Sequence, residues 1–460
     1  MLPVVALVGR PNVGKSTLFN ALTGTRDALV ADLPGLTRDR QYGYARRGGK
    51  SCIVIDTGGI VERADEIEGL MIAQTERAIE EADRLIVVVD GRAGPTPQDD
   101  FVARLVRRSG KPVLVAVNKT EGFDPQAAIA EFHELGLGEP VPIAAAHGSG
   151  VVELLETSLQ GLDAEPQDAA PDQGVRVAVI GRPNVGKSTL INRLLGENRL
   201  VAFDQPGTTR DAVLVPFERD GERYTLIDTA GVRRRARVEE AVEKFSVIKT
   251  LQAIESAQVV IVVLDAQDTV AEQDASLLGT VVEEGRALVI AVNKWDNIPQ
   301  EQRDEIRRQI ELRMGFADFA PVHFISARHG SGVGELFDSV RRVYAAAMRE
   351  MSTPELTRVL EAAIVSHPPP VVRGRRIKLR YAHQGGRNPP VIVIHGNQTD
   401  QVPDAYRRYL VNVYRKAFDL GGTPVQVSFR GEENPYAGRR NPLTPRQMRK
   451  RKRLIRRNKR

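Results

Sequence analysis

The chain has 460 residues, 42% hydrophobic and 27% charged; this composition excludes a disordered or collagen-like polymer and leaves room for about three domains. Its net charge of +6 is uneven: residues 439–460 hold 12 Lys/Arg and no acid, while the rest carries 53 basic against 59 acidic groups, a net −6. A single cysteine, Cys52, excludes an internal disulfide, and no apolar run approaches the ~20 residues of a membrane helix, so the expected compartment is the reducing cytoplasm.

The opening "MLPVVALVGR" reads as a buried strand rather than a signal peptide. It leads into Gly9, Arg10, Pro11, Asn12, Val13, Gly14, Lys15, Ser16 and Thr17. A strand, then Gly-x4-Gly-Lys-Ser, then a helix is the pattern of a phosphate-binding loop. Its glycines let backbone N–H groups wrap phosphates, Lys15 reaches the β/γ oxygens, and the Ser16 hydroxyl ligates Mg²⁺. "PGLTRD" (34–39) supplies Thr37, which can join the Mg²⁺ shell only when a γ-phosphate is present. The strand "CIVID" ends at Asp56, placed to hold a Mg²⁺-bound water, and is followed by Thr57, Gly58, Gly59 and Ile60. The Gly59 N–H can meet the γ-phosphate. "LIVVVD", "VLVAVN" and "PVPIAA" complete five predicted strands. Such near-continuous apolar runs imply a mainly parallel sheet with helices on both faces, an α/β architecture. Asn118, Lys119, Thr120 and Glu121 follow the fourth of these strands, and Ala144 and Ala145 lie in the fifth. The acidic, Ala/Pro-rich stretch 163–174 reads as a flexible linker.

The pattern then starts again. "GRPNVGKSTL" at 9–18 recurs letter for letter at 181–190, supplying Gly181, Arg182, Pro183, Asn184, Val185, Gly186, Lys187, Ser188 and Thr189 as a second phosphate loop. "PGTTRD" supplies Thr209, and "IDTAGV" supplies Asp228, Thr229, Ala230, Gly231 and Val232. "NKWD" is Asn293, Lys294, Trp295 and Asp296, and "ISARHG" contains Ser326 and Ala327. Asp296 can accept both N1–H and the 2-amino group of guanine; adenine has neither donor. The set therefore points to GTP, with Lys15, Thr37, Lys187 and Thr209 as the catalytic candidates. Two substitutions set the first copy apart: Glu121 stands where the second has Asp296, and Ala144 where it has Ser326. Ile60 and Val232 follow the DxxG motifs, where many small GTPases use a glutamine to orient water. Arg233, Arg234, Arg235 and Arg237 follow the second DxxG as a charge run that could face RNA.

A third segment begins near residue 351. "STPELTRVLEAAI" predicts a helix with Thr353 as N-cap; strands "RIKLRYA" and "PVIVIHG", a helix over about 403–418 and a strand "TPVQVSF" follow. The basic tail closes the chain and suits contact with a phosphate backbone without sequence readout.

Two tandem "GRPNVGKST" domains, a small α+β domain and a basic tail resemble the bacterial Der (EngA) GTPase family over nearly the whole chain. The resemblance implies two P-loop GTPase domains (1–162 and 175–350), a KH-like domain (351–438) and a tail (439–460). It further implies Mg²⁺-dependent GTP hydrolysis as a switch in assembly of the large ribosomal subunit, with ribosomal RNA as partner and a monomeric protein. Asn12 and Asn184, with an apolar residue after DxxG, imply K⁺ at the phosphates in place of an arginine finger. The third domain departs from a KH pattern: "GGRN" (385–388) and "GGTP" (421–424) are not GxxG, so the usual backbone clamp on RNA is missing. The alternative is a nucleotide-gated RNA-binding scaffold whose first domain turns over little.

Overall fold

The computed structural model describes residues 2–24, 41–47, 50–57, 75–76, 78–122, 124–162, 174–197, 214–227, 247–268, 272–372 and 375–431. By internal contact it forms two units: Met1–Arg349 with Asn388–Pro390 and Asp419–Pro424, and Glu350–Arg387 with Val391–Phe418 and Val425–Arg460.

The first unit holds two six-stranded sheets of the same topology. One is built from β1 (Val4–Val8), β2 (Gln41–Arg47), β3 (Lys50–Asp56), β4 (Arg84–Asp90), β5 (Val113–Asn118) and β6 (Val141–Pro142), in the order β2-β3-β1-β4-β5-β6. The other uses β7 (Val175–Ile180), β8 (Leu214–Arg219), β9 (Glu222–Ile227), β10 (Val259–Asp265), β11 (Ala287–Asn293) and β12 (Val322–Phe324), in the order β8-β9-β7-β10-β11-β12. Every pairing is parallel except β2 with β3 and β8 with β9. The period of two explains the apolar runs. Val4, Ala6 and Val8 enter one core and Val5 and Leu7 the other, so a strand covered on both faces has no position for a polar residue. In the second sheet Val259, Ile261 and Val263 face one core, Val260, Val262 and Leu264 the other.

The five strands expected in the first copy are present, and the structure adds a sixth, β2. It is the antiparallel partner of β3, and the Gly48-Gly49 pair before "KSCIVID" is the turn signal that could have revealed it. Cys52 is buried in β3, where burial pushes its thiol up to about 12.

The helix Val247–Ser256 precedes β10 in sequence, yet Val247, Ile248 and Leu251 are buried in the first sheet's core cluster. Tyr44 of β2 donates its hydroxyl to the Leu251 carbonyl at 2.6 Å. Beside it, Arg46 pairs with Glu255 at 2.7 Å and with Glu284, and Arg286 also reaches Glu255, at 3.3 Å.

The second unit contains the two-stranded β13 (Val371–Val372) and β14 (Arg375–Arg376), and a three-stranded sheet of β15 (Lys378–Gly386), β16 (Val391–Asn397) and β17 (Gln426–Gly431), with helices Thr353–Ser366 and Asp404–Ala417. The first helix is capped by Ser352, not Thr353. The Ser352 hydroxyl accepts the Glu355 N–H, and the Glu355 carboxylate accepts the Ser352 N–H in return, a capping box that leaves Thr353 as the first helical residue. The last strand starts at Gln426, later than expected from "TPVQVSF". No helix among the described residues is long and apolar enough to cross a membrane.

Candidate nucleotide sites

Each phosphate loop lies between a buried strand end and a helix N-terminus. Val13 and Val185 anchor the loops by complete burial, and the helices Lys15–Thr23 and Lys187–Glu197 follow directly. Gly14 and Gly186 both have φ 97°, in the region that glycine alone adopts easily. A Cβ there would lie 2.3 Å from the Asn118 side-chain nitrogen in the first copy and 2.2 Å from that of Asn293 in the second. These two positions are therefore glycine for reasons of space as well as backbone.

That close approach has a purpose. Asn118 donates through Nδ2 to the Val13 carbonyl at 2.9 Å and accepts the Ala145 N–H at 3.0 Å. Asn293 makes the same pair of bonds, to Val185 at 2.8 Å and from Ala327 at 2.9 Å. Each asparagine thus ties the phosphate loop to the loop after the last strand of its sheet, β6 or β12. Both are buried, where a neutral amide with both ends satisfied costs little.

The adjacent lysines reinforce this frame. Lys119 donates to the Asn12 carbonyl at 2.8 Å and to Asp90 at 2.6 Å; Lys294 pairs with Asp265. Burial would raise the Asp90 carboxyl, but the bonds from Lys119 and the Arg92 N–H outweigh it and hold it below the usual carboxylate range. Thr120 donates to Ile143 O at 2.9 Å. Trp295 packs against Phe324 with the rings tilted at 40° and their centroids 4.3 Å apart, under Arg303 and Arg307.

The lysines of the phosphate loops point back at the loop itself. Lys15 donates to the carbonyls of Gly9 and Arg10, both at 2.8 Å, and Lys187 to that of Arg182 at 2.7 Å. Burial lowers the Lys15 ammonium pKa, with Asp56 opposing. The arginines turn outward from the loops: Arg10 reaches the buried Asp99 at 3.3 Å and Arg182 reaches Asp274 at 2.9 Å. Ser16 and Thr17 are exposed at the helix start, as are Asn12 and Asn184 in the loops, both with left-handed backbone (φ 66° and 64°).

Asp56 ends β3 opposite Leu7 of β1, and Thr57 donates to the Leu7 carbonyl at 2.8 Å, so the carboxylate sits beside the mouth of the loop. Thr37, Gly58, Gly59, Ile60, Thr209, Asp228, Thr229, Ala230, Gly231, Val232 and the arginines 233–237 lie outside the described residues.

The two carboxylates expected to read the base differ in their partners. Asp296 accepts from the Ser326 hydroxyl, which lowers its pKa, and lies 3.4 Å from His329. Glu121 has Ala144 in place of that serine and pairs instead with Arg92, at 2.6 Å. Arg92 was not among the residues picked out by motif. The second copy has Gln267 at the equivalent step after its β10 aspartate, and this difference between the copies was the available signal.

Comparison with known proteins decides the family. The profile of the 50S ribosome-binding GTPase family matches residues 4–119 and again 176–294, and that of the KH-domain-like C-terminal region of EngA bacterial GTPase enzymes matches 350–430. The chain is 59% identical to the GTPase Der of Thioalkalivibrio sulfidiphilus and 58% identical to that of Methylococcus capsulatus, in each case over 99% of both chains. The chain belongs to the Der family of GTPases. The GTPase Der of Citrobacter koseri is 55% identical over the same share. Among solved structures, Era from Aquifex aeolicus bound to GDP and AlF4⁻ aligns at 19% identity with a TM-score of 0.31, covering 74% of this chain and 99% of its own.

The GTPase family profile matches this chain twice, and the paired asparagine ties repeat that duplication at the level of single hydrogen bonds. Magnesium accompanies GTP across GTPases, and the first copy's described donors suit it. The Ser16 hydroxyl at the helix start and the Asp56 carboxylate at the end of β3, beside β1, are hard oxygen donors.

Proposed function

We propose that both copies bind and hydrolyse GTP, and that the GTP/GDP difference drives a switch in assembly of the large ribosomal subunit, in the cytoplasm and as a monomer. The observation that carries this is the pair of asparagine ties. In each copy one buried side chain couples the phosphate loop to the loop expected to read guanine. Gly9 to Thr17 and Gly181 to Thr189 then cradle the phosphates, and Asn118 to Glu121, Ala144, Ala145, Asn293 to Asp296, Ser326 and Ala327 surround the base. Lys15 and Lys187 exchange their carbonyl partners for β/γ oxygens. Ser16, Thr37, Ser188 and Thr209, with Asp56 and Asp228 through water, hold Mg²⁺, which neutralises charge on the phosphates when bound. Thr37 and Thr209 join only in the GTP state, which makes their loops the switch. Asn12 and Asn184 present exposed amides beside the phosphates and suit K⁺, in line with the apolar Ile60 and Val232.

Ribosomal RNA as the partner is supported by the cation-only tail 439–460 and by the family's 50S-binding description. A second reading has one observation in its favour. Glu121 held by Arg92, with no hydroxyl at Ala144, marks the first copy as different, and there nucleotide could be held with little turnover while the chain acts as a gated scaffold.

Full-length protein separates the two. GTP turnover is measured for the wild type, Lys15→Ala and Lys187→Ala, together with cosedimentation with ribosomal subunits in GTP, GDP and no nucleotide. Two active sites require both variants to lose turnover, and a switch requires subunit binding to differ between GTP and GDP. Unchanged turnover in Lys15→Ala favours the scaffold reading. Equal cosedimentation in all three buffers overturns the switch.

A further inference from the structure

The three-stranded sheet of the second unit has one face covered by helices, and its other face carries a row of rings around the buried Val393. Leu379, Ala382, Ile392, Ile394 and Val427 are buried, and the helices lie over them: Thr357 bonds to the Ala382 backbone at 3.2 Å and Arg407 sits over the Phe429 ring. On the other face, β15 and β16 bring Tyr381 opposite His395. Their rings are parallel within 4° at 4.5 Å, and His383 stacks on His395 at 5.1 Å. Tyr381 is 42% exposed, a large ring open to solvent.

Cross-strand ring pairs stabilise many sheets, so the stack alone indicates nothing more. Its setting does. β15, β16 and β17 contain Lys378, Arg380 and Arg430 and not one Asp or Glu. All three cations are exposed, and Arg430 is the register partner of His395. An exposed ring backed by two more, on strands whose charged residues are all cations, suits a ligand with flat π-faces and a regular negative backbone. Single-stranded nucleic acid has both. A protein strand added to the sheet would use its edge rather than this face.

We propose that Tyr381, supported by His395 and His383, is a stacking platform for unpaired RNA bases, and that Lys378, Arg380 and Arg430 take the flanking phosphates. This places RNA contact on the sheet rather than on a GxxG clamp, which the chain lacks. It rests on the proposed role in ribosome assembly but is separable from the basic tail.

The test uses full-length protein and a fluorescently labelled 12-nucleotide single-stranded RNA, with anisotropy read at several salt concentrations. Tyr381→Ala weakens binding roughly 5- to 150-fold, the range of one lost base stack, and leaves the salt slope unchanged. Tyr381→Phe keeps the affinity, because the ring and not the hydroxyl does the stacking. Arg430→Gln instead flattens the slope of log affinity against log salt by about 0.7, as one lost phosphate contact on a single strand does. Should Tyr381→Ala fold poorly, photocrosslinking of wild-type protein to 4-thiouridine RNA answers the same question, with the adduct expected on the peptide carrying Tyr381. Unchanged affinity in Tyr381→Ala, equal loss in Tyr381→Phe, or crosslinks confined to residues 439–460 overturns the platform while leaving RNA binding in place. No binding of any RNA by the wild type overturns both.

Discussion

Asp296 and Glu121 occupy the same step in the two copies and are held by different neighbours. Ser326 donates to Asp296 and lowers its pKa, which keeps the carboxylate ionised, as the proposed reading of guanine requires. Asp296→Asn replaces one acceptor oxygen by a donor, which suits xanthine. With the first copy silenced by Lys15→Ala, the ratio of GTP to XTP affinity should therefore fall by about two orders of magnitude or more, read by competition with a fluorescent nucleotide. Equal loss of both nucleotides would mean that the residue only shapes the loop. Glu121 depends instead on an arginine 29 positions away, at 2.6 Å. Both side chains are partly exposed, so the pair is worth at most about 1 kcal/mol. Arg92→Ala should weaken GDP binding at the first copy by up to about fivefold and leave the second copy unchanged, in calorimetric titrations of full-length protein. Tighter binding would show that Arg92 competes with guanine for the carboxylate.

The element proposed to carry most of the chemistry is the strand–loop–helix at each phosphate site. Its existence and position follow from "GRPNVGKSTL" with no need of a fold, because the glycines, the lysine and the flanking strand are all local. Its backbone also decides how the K⁺ proposal should be tested. Asn184 has φ 64°, where alanine is strained by roughly 1–2 kcal/mol; Asn184→Gly removes the amide without that strain. Turnover of the wild type should be higher in K⁺ than in Na⁺ at equal ionic strength, and Asn184→Gly should lose most of the difference while still binding GDP. A wild type indifferent to the cation rules K⁺ out. Two features are hard to read from the sequence for physical reasons. β2 is a hairpin partner of β3 whose "QYGYARR" has a glycine and two arginines in place of a clean apolar run. The cap of the helix Thr353–Ser366 moved to Ser352 because Glu355 completes a box only with the residue three positions before it.

At the scale of the whole first unit, the two copies are joined by charge as well as by apolar packing. β2 comes directly after the stretch that carries Thr37, and it meets a helix that follows the second copy's DxxG segment. At that contact Glu284 faces Arg46, Glu255, Arg286 and Tyr44. Burial, with Glu255 adding to it and the Arg46 and Arg286 charges opposing, pushes the Glu284 carboxyl from 4.5 up to about 7. The folded state therefore holds a proton that the unfolded chain releases. This contribution to stability is complete below pH 4.5 and is lost as pH rises through about 7. For one proton the slope is no steeper than about 1.4 kcal/mol per pH unit. Denaturant unfolding between pH 5 and 8 should show this decline for the wild type and a flatter profile for Glu284→Gln. Parallel profiles would place the proton elsewhere.

The sequence by itself determined the duplication, the strand–loop–helix at each glycine-rich loop and the α/β class, and it named the residues proposed to read guanine. Each of these is written in local spacing: a ten-residue repeat, an apolar strand before a glycine loop, an Asn-Lys pair at a strand end. Tertiary structure alone decided the rest. It set which residue restrains each base-reading carboxylate, the ties from Asn118 and Asn293 to loops over 100 positions away, the helix of one copy buried in the core of the other, and the stacking of Tyr381 on His395. Those contacts join side chains that share no helical or strand period, so they arise only when sheets pack and strands pair in register.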